Sequence, residues 1–124
     1  MTDCPFCQRI KNREYDHSDD YNVAFEPLDP VTPGHLLVVP RTHISHALAG
    51  PSFAGRAMAY AGYLANELGI ESANFITSKA ATQTVFHLHI HILPRTESDD
   101  VILPWTKQVP QAAQLSEQRP EVFG

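Results

Sequence analysis

The chain is poor in the features that would mark it for a membrane, a genome or an oxidising compartment. Lys and Arg together number nine against fourteen Asp and Glu, a formal charge of −5. Broad binding to nucleic acid or to a membrane surface needs a basic face, and that class of partner is excluded. Only a local group such as Arg41, Lys79 and Arg95 remains to hold one anionic ligand. No run approaches the ~20 apolar residues of a bilayer span, and the opening "MTDCPFC" lacks the apolar segment of a signal peptide. The expectation is a cytoplasmic protein. Cysteine is equally scarce, with two in 124 residues, too few for a disulfide-stapled scaffold. In a reducing compartment the Cys4–Cys7 pair reads as metal-binding or redox-active rather than structural.

Hydrophobic residues make up 43% of the chain, enough for one globular core. Residues 4–13 predict a short helical turn with Pro5 at its first position. "YNVAF" (21–25) and "HLLVVP" (35–40) predict strands, separated by "EPLDPVTPG", whose three prolines and glycine make a loop. "PSFAGRAMAYAGYLANELG" is the one long helix, with Ser52 as its N-cap and Gly69 as its stop. Its apolar stripe is Phe53, Ala57, Met58, Ala61, Leu64, Ala65 and Leu68. "NFITS" (74–78) predicts another strand, and "KAATQ" loops from it into the next segment. Strands without regular βαβ alternation, plus one helix to cover them, predict an α+β domain with an antiparallel sheet. The core spans residues 1–95. Residues 96–124 form a tail, extended or packed on the same domain, with Trp105 as its one large anchor.

The most informative stretch is "QTVFHLHIHILPR" (83–95), where His87, His89 and His91 alternate with Leu88, Ile90 and Ile92. A period of two is the strand signature, so the imidazoles share one face and the aliphatic residues turn to a core. At ~3.3 Å per residue the outer histidines stand ~13 Å apart. One ion with bonds of ~2.0–2.1 Å cannot collect all three; at least one is left for other work. Neutral imidazole, with an ordinary pKa near 6.5, is a competent nucleophile toward phosphorus at neutral pH. Gln83 and Thr84 stand just upstream as neutral donors for a developing charge, with Lys79 near them in sequence.

The segment resembles the signature of the histidine-triad (HIT) family, His-φ-His-φ-His-φ-φ with φ apolar, including the preceding Gln-Thr-Val-Phe. "VTPGHLLVVPRTHIS" (31–45) is similar to the family's Pro-Gly-His strand, and "CPFC" to the Cys-x-x-Cys of many bacterial members. The resemblance implies an α+β fold with a meander sheet of about five strands, one long helix and a short N-terminal one. It implies a nucleotide hydrolase or transferase acting at an α-phosphate, with purine nucleotides the expected substrates. His89 would be the nucleophile and His91 the donor to the phosphate or leaving-group oxygen. Gln83 and Thr84 would contact phosphate, and His35 would stand beside the triad. Phe25, Asp29 and Lys79 complete the substrate-binding set. A structural zinc would take Cys4, Cys7, His43 and His87, with His46 an alternative to His43. Small members of the family pair as homodimers, here through the 53–68 helix and the 74–78 strand. The sequence departs from the family at Pro27, where many members carry a ribose-binding Asp and Asp29 follows two residues on. It departs again at Ile76-Thr77, where Asn is common, and at Thr82, where Gly is common. The altered ribose loop keeps a second reading open, a non-catalytic nucleotide-binding or zinc-stabilised interaction domain.

Overall fold

The computed structural model describes residues 4–104; Trp105 and the rest of the tail lie outside the described residues. Helix α1 runs Pro5–Lys11, with Pro5 at the position where its missing N–H is harmless. A two-residue strand β1 (His17–Ser18) precedes β2 (Asn22–Phe25) and β3 (Leu36–Pro40). Helix α2 (Pro51–Glu67) leads to β4 (Ala73–Ile76), a 3-10 turn at Ala80–Thr82, and β5 (Ile90–Pro94). All ladders are antiparallel, in the order β1-β2-β3-β5-β4. The expected five-stranded antiparallel sheet is present. Its run in chain order is interrupted once, because α2 carries the chain past one position and β5 fills the gap.

Alternation along the strands sorts side chains onto two faces. On one face Ala24, Leu36, Val38, Ile90 and Ile92 pack against Ala57, Tyr60, Ala61 and Leu64 of α2. On the other, Val23, Phe25, Leu37 and Val39 are covered by Cys4 and Phe6 from the N-terminal helix. Ile90 and Ile92 are 1% and 0% exposed. Burial of such a side chain stabilises by about 1.5–3 kcal/mol, so these positions pin the register of β5. His91 pairs with Leu37 across the ladder, which sets it on the α1 face. The histidine row is therefore roofed by the short N-terminal helix.

Three details differ from the sequence reading. The N-cap of α2 is Gly50 rather than Ser52, with no side-chain cap bond, because Pro51 already occupies the first helical position. A Cβ on Gly50 would lie 2.9 Å from Ile44 Cγ2, so close backbone approach fixes that residue. The helix also presents a rotated stripe: Met58 and Leu68 are exposed, while Tyr60 is buried. Gly69 does stop the helix, at φ +69°. Finally, the β5 ladder begins only at Ile90, and residues 87–89 are held from outside the sheet. Leu88 N–H donates to Ile44 O at 2.6 Å, and Thr77 Oγ1 donates to His89 O at 2.8 Å.

The start of the tail folds back. Arg95 forms a two-pronged pair with Asp99, 2.7 Å at the shorter contact, while Asp99 also accepts from the Thr96 and Val101 amides. These contacts hold the Asp99 carboxyl below the usual carboxylate range, the Arg95 hydrogen bond being the largest cause.

Candidate active site and metal cluster

Four side chains from three separate segments converge beneath α1. Cys4 Sγ lies 3.3 Å from His87 Nδ1, and Cys7 Sγ lies 3.3 Å from His43 Nδ1 and 3.6 Å from His87 Nδ1. The two Nδ1 atoms are 3.2 Å apart. One ligand atom from each of Cys4, Cys7, His43 and His87 falls within 4.8 Å of all the others, a group able to hold a metal ion. A tetrahedral ion with bonds of ~2.0–2.3 Å has ligand–ligand edges of about 3.3–3.8 Å, which the short contacts match. The protonation pattern agrees. His87 Nε2 donates to Pro40 O at 2.8 Å, so its Nδ1 carries the lone pair that faces the cluster. Burial, with smaller contributions from His43 and His89, pushes the His87 pKa down to about 4 and keeps the ring neutral. Burial and the adjacent Cys4 push the Cys7 thiol up to about 11, so a thiolate there needs a bound cation. His46 is not in the group; its Nδ1 accepts from Ala49 N–H.

His87 thus belongs to the cluster, and the other two triad histidines do not. His89 Nδ1 donates to the His87 carbonyl at 2.7 Å. A carbonyl can only accept, so the proton sits on Nδ1 and Nε2 keeps a free lone pair. Burial lowers the His89 pKa, which favours that unprotonated nitrogen. The Phe6 ring stands edge-on to both His87 and His89, 5.9 and 5.1 Å between centroids, and fixes their tilt.

His91 has its tautomer set by a chain of bonds that begins at the backbone. Val31 N–H donates to His35 Nδ1 at 3.0 Å, so a neutral His35 carries its proton on Nε2. That proton points to His91 Nδ1, 2.9 Å away. His91 is left with its own proton on Nε2 as a donor. Burial lowers both rings, His91 to about 4, so the neutral chain is the form present near neutral pH. The His89 and His91 rings are 5.1 Å apart, placing a lone pair and a donor side by side.

The other sequence candidates take varied positions. Gln83 is buried and its amide is engaged in bracing the loop: Nε2 donates to Ser45 O at 2.7 Å and Oε1 accepts from Ala80 N–H at 3.0 Å. Thr84 and Lys79 are exposed on that loop. Thr82 closes the 3-10 turn through its hydroxyl, bonded to Lys79 O at 2.7 Å. Phe25 is 1% exposed, packed by Phe6 and by the Arg9 guanidinium 4.1 Å from its ring centroid. Asp29 is exposed, in a loop where Leu28 is 90% exposed. Arg41 and Arg95 are engaged elsewhere, with Asp19 O and Asp99. Phe6, Thr77 and Ser45 were missed by the sequence reading. Of these only Phe6 carried a signal, as the apolar residue enclosed by the two cysteines.

A family model, the HIT domain, matches residues 15–98. Over 110 residues the chain is 34% identical to an uncharacterized HIT-like protein of Saccharolobus solfataricus, with 81% of this chain and 79% of that protein covered. It is 31% identical over 112 residues to the adenosine 5'-monophosphoramidase of Saccharomyces cerevisiae, covering 85% and 71%. Among solved structures, the HIT family hydrolase from Clostridium thermocellum superposes with a TM-score of 0.69 at 30% identity, covering 83% of this chain and 99% of that one.

Proposed function

The chain belongs to the HIT family, and from that premise we propose that it is a nucleoside-phosphoryl hydrolase or nucleotidyl transferase. It cleaves at the α-phosphate through a covalent nucleotidyl-His89 intermediate. The observation that carries this reading is the pair of opposed tautomers, a free His89 Nε2 beside a His91 Nε2–H. In the first step His89 Nε2 attacks phosphorus and the bond to the leaving group breaks. The positive charge left on the imidazole is met by the His87 carbonyl, which already holds the Nδ1 proton. His91 Nε2–H donates a hydrogen bond to the oxygen on which negative charge grows. Thr84 adds a neutral donor, and Gln83 acts by holding the loop in place. In the second step water attacks the phosphorus, releases the nucleoside monophosphate and restores His89. Phosphoramidates, dinucleoside polyphosphates and related purine nucleotides are the substrate class, with Phe25, Asp29, His35 and Lys79 the remaining binding residues. The yeast relative's named activity supports the phosphoramidate end of that range.

The Cys4, Cys7, His43 and His87 group holds a structural zinc in this reading, since two thiolates and two neutral imidazoles suit that ion. It ties α1 to the segment that carries His89. Among the described residues the sheet ends at β4, whose outer edge has no strand beside it and whose Phe75 is exposed. Two copies join there and along α2 as a homodimer, and the assembly works in the cytoplasm. Among the described residues no helix is long and apolar enough to cross a membrane. Residues 1–95 form the catalytic domain. Turnover of adenosine 5'-phosphoramidate, a dinucleoside polyphosphate and an adenylate by purified protein tests the activity. Failure to turn over any of them favours the alternative, a nucleotide-binding or zinc-stabilised interaction domain. Light scattering tests the assembly: about twice the 13.8 kDa chain mass is expected, and a monomer at micromolar concentration refutes the pairing.

A further inference from the structure

The row of the sheet that crosses His91 is apolar on both flanks. Strand β5 lies between β3 and β4, and the ladders set Leu37 opposite His91 on one side and Ile76 on the other. Ala73 packs with the α2 cluster, so alternation along β4 puts Asn74 and Ile76 on the face of the histidines. Opposed residues in such a pair have Cβ atoms about 4.5–5.5 Å apart, close enough to touch. The two flanks differ in access. Leu37 is 5% exposed beneath the α1 cover, whereas Ile76 and His91 are each half-buried. The accessible side of the His91 ring is therefore the side that Ile76 walls. Polar groups around that wall are already committed. Asn74 Oδ1 accepts from Arg95 Nη1 at 2.5 Å, Arg95 is paired with Asp99, and the Thr77 hydroxyl donates to the His89 carbonyl.

We propose that Ile76 is a specificity-determining residue, an apolar shelf beside His91 that selects a neutral, carbon-rich leaving group over a polyphosphate. The proposal rests on the reading of the chain as an α-phosphate hydrolase or transferase and narrows the leaving group within it. The β2–β3 loop, which carries Asp29, lies on the far side of β5. A nucleoside held from that loop directs its leaving group toward β4. An amine with an alkyl substituent then covers the accessible part of Ile76, a gain of about fourfold in affinity for each methylene fully buried. A polyphosphate in the same place gives up water from its charges against an alkyl side chain, which costs affinity. Lys79 is exposed beyond the end of β4, on the solvent side of this shelf.

The test compares adenosine 5'-phosphoramidate with its N-butyl derivative, which differs only by the butyl group on the leaving nitrogen. In turnover by the full chain, kcat/KM is expected to favour the butyl compound by about tenfold, and Ile76→Asn to bring the two within about twofold of each other. Ile76→Leu keeps the apolar character and is expected to keep the preference. A second measurement needs no chemistry: calorimetric titration of both compounds into His89→Asn, with Ile76 intact and with Ile76→Asn. The butyl compound is expected to bind about tenfold more tightly with Ile76 present, and no more tightly without it. This affinity difference without turnover in the wild type overturns the phosphoryl-transfer reading and supports Ile76 as the selecting residue. Equal or undetectable binding of the two compounds to His89→Asn overturns the proposal. So does an unchanged ratio in Ile76→Asn. Loss of the preference in Ile76→Leu also overturns it, since the effect then comes from a disturbed strand and not from apolarity.

Discussion

Removing the metal proposed for the Cys4, Cys7, His43 and His87 group is the perturbation with the largest expected effect on the fold. The four ligands join segments far apart in sequence: Cys7 to His43 spans 36 residues and His43 to His87 spans 44. Treated as cross-links, loops of that length restrict the unfolded chain by about 4 kcal/mol each. Together that is ~8 kcal/mol, comparable to the whole stability of a small domain. Coordinate bonds that exchange deliver less than a covalent link, so ~8 kcal/mol is an upper bound. Cys4→Ser removes a buried ligand and is expected to forfeit about half of it, lowering Tm by ~15 °C for a domain of this size. Calorimetry of loaded wild type, chelated wild type and Cys4→Ser makes the assay, with elemental analysis giving about one zinc per chain. Chelated wild type is expected to melt lowest, with Cys4→Ser between it and the loaded protein. If chelation removes the metal and leaves Tm unchanged, the cluster is not a structural clip and the reasoning fails.

Two further outcomes follow from the site. Thr77→Val replaces the hydroxyl that donates to the His89 carbonyl with a methyl of the same shape. It is expected to cost about 1 kcal/mol of stability and to lower kcat with KM little changed, while Thr77→Ser restores both; equal loss in both variants refutes a positioning role. Acid is expected to destabilise the fold between pH 6.5 and 4, because burial lowers the pKa values of His35 and His91, the latter to about 4. The unfolded chain then binds more protons in that window, so stability is full above about pH 6.5 and is lost as pH falls through the folded pKa. His91 alone contributes ~3 kcal/mol by this route, and His91→Gln is expected to flatten Tm against pH there. A profile equally steep in the variant assigns the acid sensitivity to other groups.

Much of this arrangement was legible because alternation is a strong local signal. Leu88, Ile90 and Ile92 fix which face of the segment is core, and the histidines follow by elimination. The metal group came from resemblance rather than geometry, since no local pattern says that residues 4, 43 and 87 meet. What stayed hidden depends on partners distant in sequence. The tautomer of His91 is set by a Val31 amide through His35, and residues 87–89 leave the ladder because Ile44 and Thr77 hold them instead. Burial on α2 went astray at Met58 and Tyr60 because hydropathy ranks methionine as more apolar. The cap of α2 falls at Gly50 because Pro51 already occupies the first helical position, a local signal that the reading of Ser52 passed over.

The central claim is that His89 Nε2 forms a bond to phosphorus. Rapid acid-free quenching of a single turnover with nucleotide labelled at the α-phosphate, followed by peptide mass analysis, measures it directly. The account requires label on the peptide containing His89, appearing before free nucleoside monophosphate and decaying as that product forms. His89→Asn is expected to give neither adduct nor turnover while retaining its metal and its fold. Label on another residue, or near wild-type turnover in His89→Asn, contradicts the mechanism.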